Sequence, residues 1–154
     1  QNLGAGNKKR AIGTFWRLVI INAALGAVGF IILNVFLGPI TWIFANSAEG
    51  FNVEFQQLIM HVVRYEALGG CIPLGINSAC MALLFGFGKT KLTLVCNFSR
   101  VFIFRIPILW ALQNFTSLGS ESVGIVMAAS NALTAMLSFV IAMLVIRSVK
   151  KGME

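Results

Sequence analysis

"LVIINAALGAVGFIILNVFL", Leu18 to Leu37, is an unbroken uncharged run, and its length decides the class of fold. A helix needs about 20 apolar residues, at about 1.5 Å each, to cross about 30 Å of hydrocarbon. The uncharged run continues to Ala48, and three further apolar stretches follow: Ala67 to Gly88, Leu92 to Leu118 and Ser122 to Ile146. Only the stretch from Leu92 carries charge, at Arg100 and Arg105. The whole chain is 58% hydrophobic and 11% charged, far below the roughly 25% charged residues of a soluble domain. The expected fold is an all-α membrane protein with four transmembrane helices, about 11–37, 54–87, 90–115 and 123–148, in one unit over residues 1–154.

The charges fix an orientation. Lys8, Lys9, Arg10 and Arg17 precede the first stretch, Lys89 and Lys91 follow the second, and Arg147, Lys150 and Lys151 follow the fourth, whereas Glu49, Glu54 and Glu121 occupy the other gaps. Basic residues concentrate in cytoplasmic loops, so both termini of this segment are expected on the cytoplasmic side of a cell membrane, with lipids as neighbours. Arg64 is the one basic residue on the predicted outside. A net charge of +7 spread in this way is not a nucleic-acid patch, and no nucleic-acid partner is expected.

Polar residues inside the spans narrow the candidates. Asn22, Gly26 and Gly29 share a helix face that could admit a neighbouring helix closely, with Asn22 bonding across the contact. Glu66, Gly70, Pro73 and Asn77 fall on one face of the second span, and Pro73 predicts a kink there; that face is the first candidate for a cavity wall. Ser130, Thr134 and Ser138 form a seam on the fourth span, with Asn131 beside it, either linking helices or facing a substrate path. Glu66 has two readings: an interfacial acid near His61 and Arg64, or a titrating group in a partly dry cavity.

Arg100 and Arg105 in "RVFIFRIPILW" are the sharpest anomaly, because a guanidinium in hydrocarbon must snorkel, pair or face water. Counted from Lys91, they lie about 13 Å and 21 Å along an α-helix and about 140° apart around it. Arg100 is expected to anchor at cytoplasmic water or lipid phosphate, and Arg105 to be held by polar groups such as Asn77 or Asn131. Pro107 frees the carbonyl of Ile103.

Other chemistry finds little support. Cys71, Cys80 and Cys96 lie in apolar segments without metal-ligand spacing, and His61 is a lone histidine. "FGKTK" lacks the first glycine of a phosphate-binding loop, since position 83 is Leu83, and no strand precedes it. No GxSxG, HExxH or Asp pair is present, and no enzyme is expected. A cofactor is not expected either.

"QNLGAGNKKRA", "IFANSAE", "IPLGINSACMALLFGFGKTK", "NFSRVFIFRIPILWAL" and "GIVMAASNALTAML", in that order, resemble the multidrug and toxic compound extrusion (MATE) family over nearly the whole chain. The resemblance implies four helices of a six-helix bundle, placed in the carboxy-terminal half of a twelve-helix transporter, and hence a fragment lacking its amino-terminal bundle. It implies export of cationic or amphipathic compounds against entering Na⁺ or H⁺, by alternating access. Some members carry an acidic coupling residue where this chain has Leu74, and the chain has no Asp, so the coupling ion is expected to bind mainly outside these residues. The alternatives are a lipid-linked oligosaccharide flippase of the same superfamily and a non-transporting membrane scaffold. The candidate cavity residues are Glu66, Pro73, Asn77, Arg105 and Asn131.

Overall fold

The computed structural model describes residues 5–47 and 50–151. Helix α1 spans Lys8–Val35, α2 Leu37–Ala45, α3 Val53–Gly86, α4 Thr90–Phe98, α5 Ile106–Phe115 and α6 Glu121–Lys151. Two-residue strands β1 (Asn46–Ser47) and β2 (Gly50–Phe51) pair antiparallel between α2 and α3. Between α4 and α5 the backbone stays helical through a π segment, Ser99–Arg105. Four helical spans, Lys8–Val35, Val53–Gly86, Thr90–Phe115 and Glu121–Lys151, are long and apolar enough to cross a membrane.

Local sequence explains the ends. Asn7 and Asn52 cap α1 and α3, their side-chain oxygens accepting from the backbone N–H groups of Arg10 and Phe55 at 3.2 and 2.9 Å; each satisfies a donor that the first turn leaves without a partner. At the other end of α3, Gly88 takes φ +68°. Its N–H donates to Phe85 at 3.0 Å and that of Lys89 to Leu84 at 2.8 Å, the paired closure that a left-handed glycine allows.

The first span departs from expectation near Pro39. Helix α1 ends at Val35, two residues before the expected end, and after a bend at Phe36 the chain turns into α2. Pro39 is the third residue of α2, where a missing N–H breaks no bond because the first turn has no intrahelical acceptor for it. Helix α2 buries Leu37, Thr41 and Ala45. Gln56 of α3 ties it down, its amide donating at 3.3 Å to both the Gly38 carbonyl and the Thr41 hydroxyl. Ala48 and Glu49, between the first two spans, lie outside the described residues.

Helix α3 is the centre of the bundle, with α1 on one side and α6 on another. It runs unbroken through Pro73. At its crossing with α1, a Cβ on Gly26 would meet the Cys71 carbonyl at 2.6 Å, and one on Gly75 the Asn22 carbonyl at 2.8 Å. Asn22 also donates to the Gly75 carbonyl at 3.2 Å. At the crossing with α6, a Cβ on Gly69 would strike the Ala128 backbone and one on Gly124 the Val62 carbonyl. Lipid offers no hydrophobic drive for helix association, so close backbone approach of this kind supplies the attraction through dispersion. Gly29 departs from its expected role, for it is exposed and faces open space.

Toward the basic end, Ile12 and Phe15 of α1, Ala79, Cys80 and Leu83 of α3, and Ala142 and Ile146 of α6 form a buried cluster. At the opposite end His61 and Glu121 stand 4.0 Å apart, pairing α3 with the start of α6. Replacing Asn22 with Ala is expected to destabilise the bundle by about 0.6 kcal/mol, the usual size of an interhelical hydrogen bond in lipid, read as a lower unfolding temperature in detergent.

Candidate functional site

The third span is where sequence and packing meet most tightly. Pro107, second residue of α5, has no N–H, and its ring would press on the carbonyl four residues earlier in an α-helix. The preceding turn is wider: Ser99–Arg105 is π-helical, and the Ile106 N–H donates to Val101, five residues back. An i→i+5 helix is wider than an α-helix and turns less per residue, so residues five apart fall within about 50° of each other around the axis. Arg100 and Arg105 are therefore brought to one side, correcting the roughly 140° separation expected of an α-helix.

That side meets α6. Arg105 Nε donates to Ser130 Oγ at 3.4 Å, and its terminal nitrogen donates to Asn131 Oδ1 at 3.5 Å. Ser130 and Asn131 are 0% and 3% exposed. The Ser130 hydroxyl donates its own proton to the Met127 carbonyl at 3.1 Å, which leaves its oxygen free to accept from Arg105. Both contacts to the guanidinium are long, and a guanidinium has five N–H donors. Arg100 is half-buried, and its Nε is buried without a hydrogen-bond partner. Among the described residues the only carboxylate within 4.0 Å of a basic side chain is Glu121, beside His61, so neither arginine has a carboxylate. A charged arginine at mid-membrane costs about 2.5–3.5 kcal/mol on insertion scales, which two long neutral contacts offset in part.

The other candidates are dispersed. Pro73 lines a cleft of about 470 Å³ between α1, α3 and α6, with Trp16, Val19, Ile76, Met136 and Phe139 among its walls and almost no polar surface. Asn77 is 7% exposed with its Oδ1 unpartnered; it makes no hydrogen bond to Arg105, which takes Asn131 alone of the two expected asparagines. Glu66 is half-buried with its Cγ beside Gly70. His61 reaches across to Glu121 instead of clustering with Glu66, and Arg64 is exposed. Among the described residues no group of three potential metal ligands occurs.

Three features of this region escaped the sequence reading. Ser130 was placed in a packing seam, yet it is one of the two groups that hold Arg105. The apolar cleft joins residues from three helices and has no signature along the chain; for the arginine alignment, the proline two residues after Arg105 was the available signal.

Four long apolar helices crossing on glycines define a polytopic membrane protein. The MatE family model matches residues 1–111, and the chain belongs to that family. A solved structure described as "Inward-facing conformation of a multidrug resistance MATE family transporter of the MOP superfamily" matches with a TM-score of 0.88 at 15% identity, covering 97% of this chain and 33% of that one. The chain thus spans about a third of the length of that transporter. No curated protein sequence matches the chain.

Proposed function

We propose that these helices form part of one bundle of a multidrug efflux antiporter in the cell membrane, exporting cationic or amphipathic compounds in exchange for entering Na⁺ or H⁺ by alternating access. The observation that carries this reading is family membership over residues 1–111 together with the fold shared with a MATE transporter. A bundle packed through glycine contacts can move as one body, which is what alternating access between two bundles requires. Broken or widened backbone at membrane depth is tolerated where it is buried in protein or lines a cavity, and the π segment at Ser99–Arg105 is such a place. The basic end of the bundle faces the cytoplasm.

The test is efflux of a fluorescent cationic dye from proteoliposomes holding the intact transporter, under an imposed Na⁺ gradient and separately under a proton gradient. Export driven by one of them is the expected result; export under neither overturns the reading. Coupling carboxylates are assigned outside these residues. Glu66→Gln is accordingly expected to leave the pH profile of efflux unmoved, and a displaced profile would return coupling to Glu66.

A further inference from the structure

We infer that Arg100 and Arg105 form an oxyanion site inside the bundle, one that takes the carboxylate or phosphate of an amphiphile. Four observations converge on it. The π segment brings the two arginines closer around the span than the roughly 140° of an α-helix. Among the described residues Arg105 is held by two neutral oxygens, at 3.4 and 3.5 Å, and three of the five donors of a guanidinium make no bond to them. The Nε of Arg100 is buried with no partner. No carboxylate among the described residues pairs with either charge.

An oxyanion answers all four at once. A carboxylate or phosphate accepts two parallel N–H bonds from a guanidinium, in a fixed plane and with charge assistance. Asn131 Oδ1 already accepts from Arg105, and its amide N–H₂ is a donor. A lone cation would meet two positive charges and find no acid to replace them. A large apolar cleft of about 470 Å³ lies elsewhere in the same bundle, so apolar and anionic parts of a ligand have separate hosts. That this anion belongs to an exported compound rests on the transport reading above, whereas its binding does not.

The binding test uses the intact transporter in nanodiscs and a matched pair of fluorescent amphiphiles, one a free carboxylate and the other its methyl ester. Wild type is expected to bind the carboxylate about tenfold tighter, the scale of one charge-assisted pair. Arg105→Gln and Arg100→Gln are each expected to reduce that preference without weakening binding of the ester. Asn131→Asp, which supplies a counter-charge to Arg105 and guards against simple misfolding of the arginine variants, is expected to erase it.

Equal affinity of wild type for the two probes overturns the inference and shows that the arginines are neutralised by another part of the protein. Equal loss of both probes in properly folded Arg105→Gln overturns it too, leaving a structural role. Repeating the binding with phosphatidylglycerol in place of phosphatidylcholine separates the sources. Competition by the anionic lipid assigns the site to a lipid phosphate, and indifference to it assigns the site to the soluble ligand. Dye efflux measured in parallel reports on transport itself, so failure of export and failure of the anion site are read separately.

Discussion

Gly69→Leu is expected to part α3 from α6 and leave little folded protein. A Cβ at Gly69 already strikes the backbone of Ala128, which cannot move aside as a side-chain tip can. Overpacking costs about 1–3 kcal/mol where neighbours can shift, and here the neighbour is a helix backbone carrying the main interface of the bundle. Gly124→Leu is expected to do the same from the other side, because its Cβ would meet the Val62 carbonyl at 2.6 Å. The control is Gly29→Ala. That glycine has nothing within 4 Å, and the change is expected to be neutral or to stabilise by about 0.5–1 kcal/mol through helix propensity. Thermal unfolding in detergent, followed by loss of the monodisperse peak, distinguishes the three. A Gly69→Leu protein as stable as wild type would show that the crossing is not where the bundle is held.

Deleting Ile72 is expected to be still more damaging, although its side chain is 39% exposed. Helix α3 has two close crossings, at Gly69 toward α6 and from Cys71 to Gly75 toward α1, and Ile72 lies inside the second, just after the first. Removing one residue turns one half of α3 by about 100° relative to the other and shifts it by about 1.5 Å. Only one of the two crossings can then be kept. Deleting Ser117, in the exposed linker between α5 and α6, changes no helix register and is expected to be tolerated. Expression and unfolding temperature of the two deletion variants give the comparison. Equal behaviour would mean that the register of α3 does not hold the bundle together.

These contrasts show what the sequence carried and what it did not. Four spans were legible because crossing hydrocarbon demands a length of apolar residues that soluble structure does not. Arg105 and Asn131 were legible as partners for a related reason, since polar groups inside such spans must find one another. Helix α2 was not among the expected spans because its 9 residues are too few to cross hydrocarbon, and Pro39 in its first turn breaks nothing. The shared side of Arg100 and Arg105 was missed because an α-helical period was assumed, and the extra residue of a π turn leaves no mark on hydropathy. Glu66 and His61 were grouped by nearness in sequence; the fold sends His61 across to Glu121, a pairing between distant residues that no local pattern reveals.

The arginine-bearing span also bears on biogenesis. On the insertion scale, two arginines near the middle of a helix oppose entry by about 5–7 kcal/mol, while each Leu, Ile, Phe or Val favours it by about 0.3–0.6. The span Thr90–Phe115 has a mean hydropathy of 1.6 over its best window, against 2.4 for α1 and 2.1 for α6. Helix α1 can therefore partition into lipid unaided, while Thr90–Phe115 sits close to balance when it leaves the ribosome. The groups that receive Arg105 belong to α6, the next helix to be synthesised. The third span and the fourth are therefore expected to insert together, and deleting α6 is expected to lower membrane insertion of Thr90–Phe115.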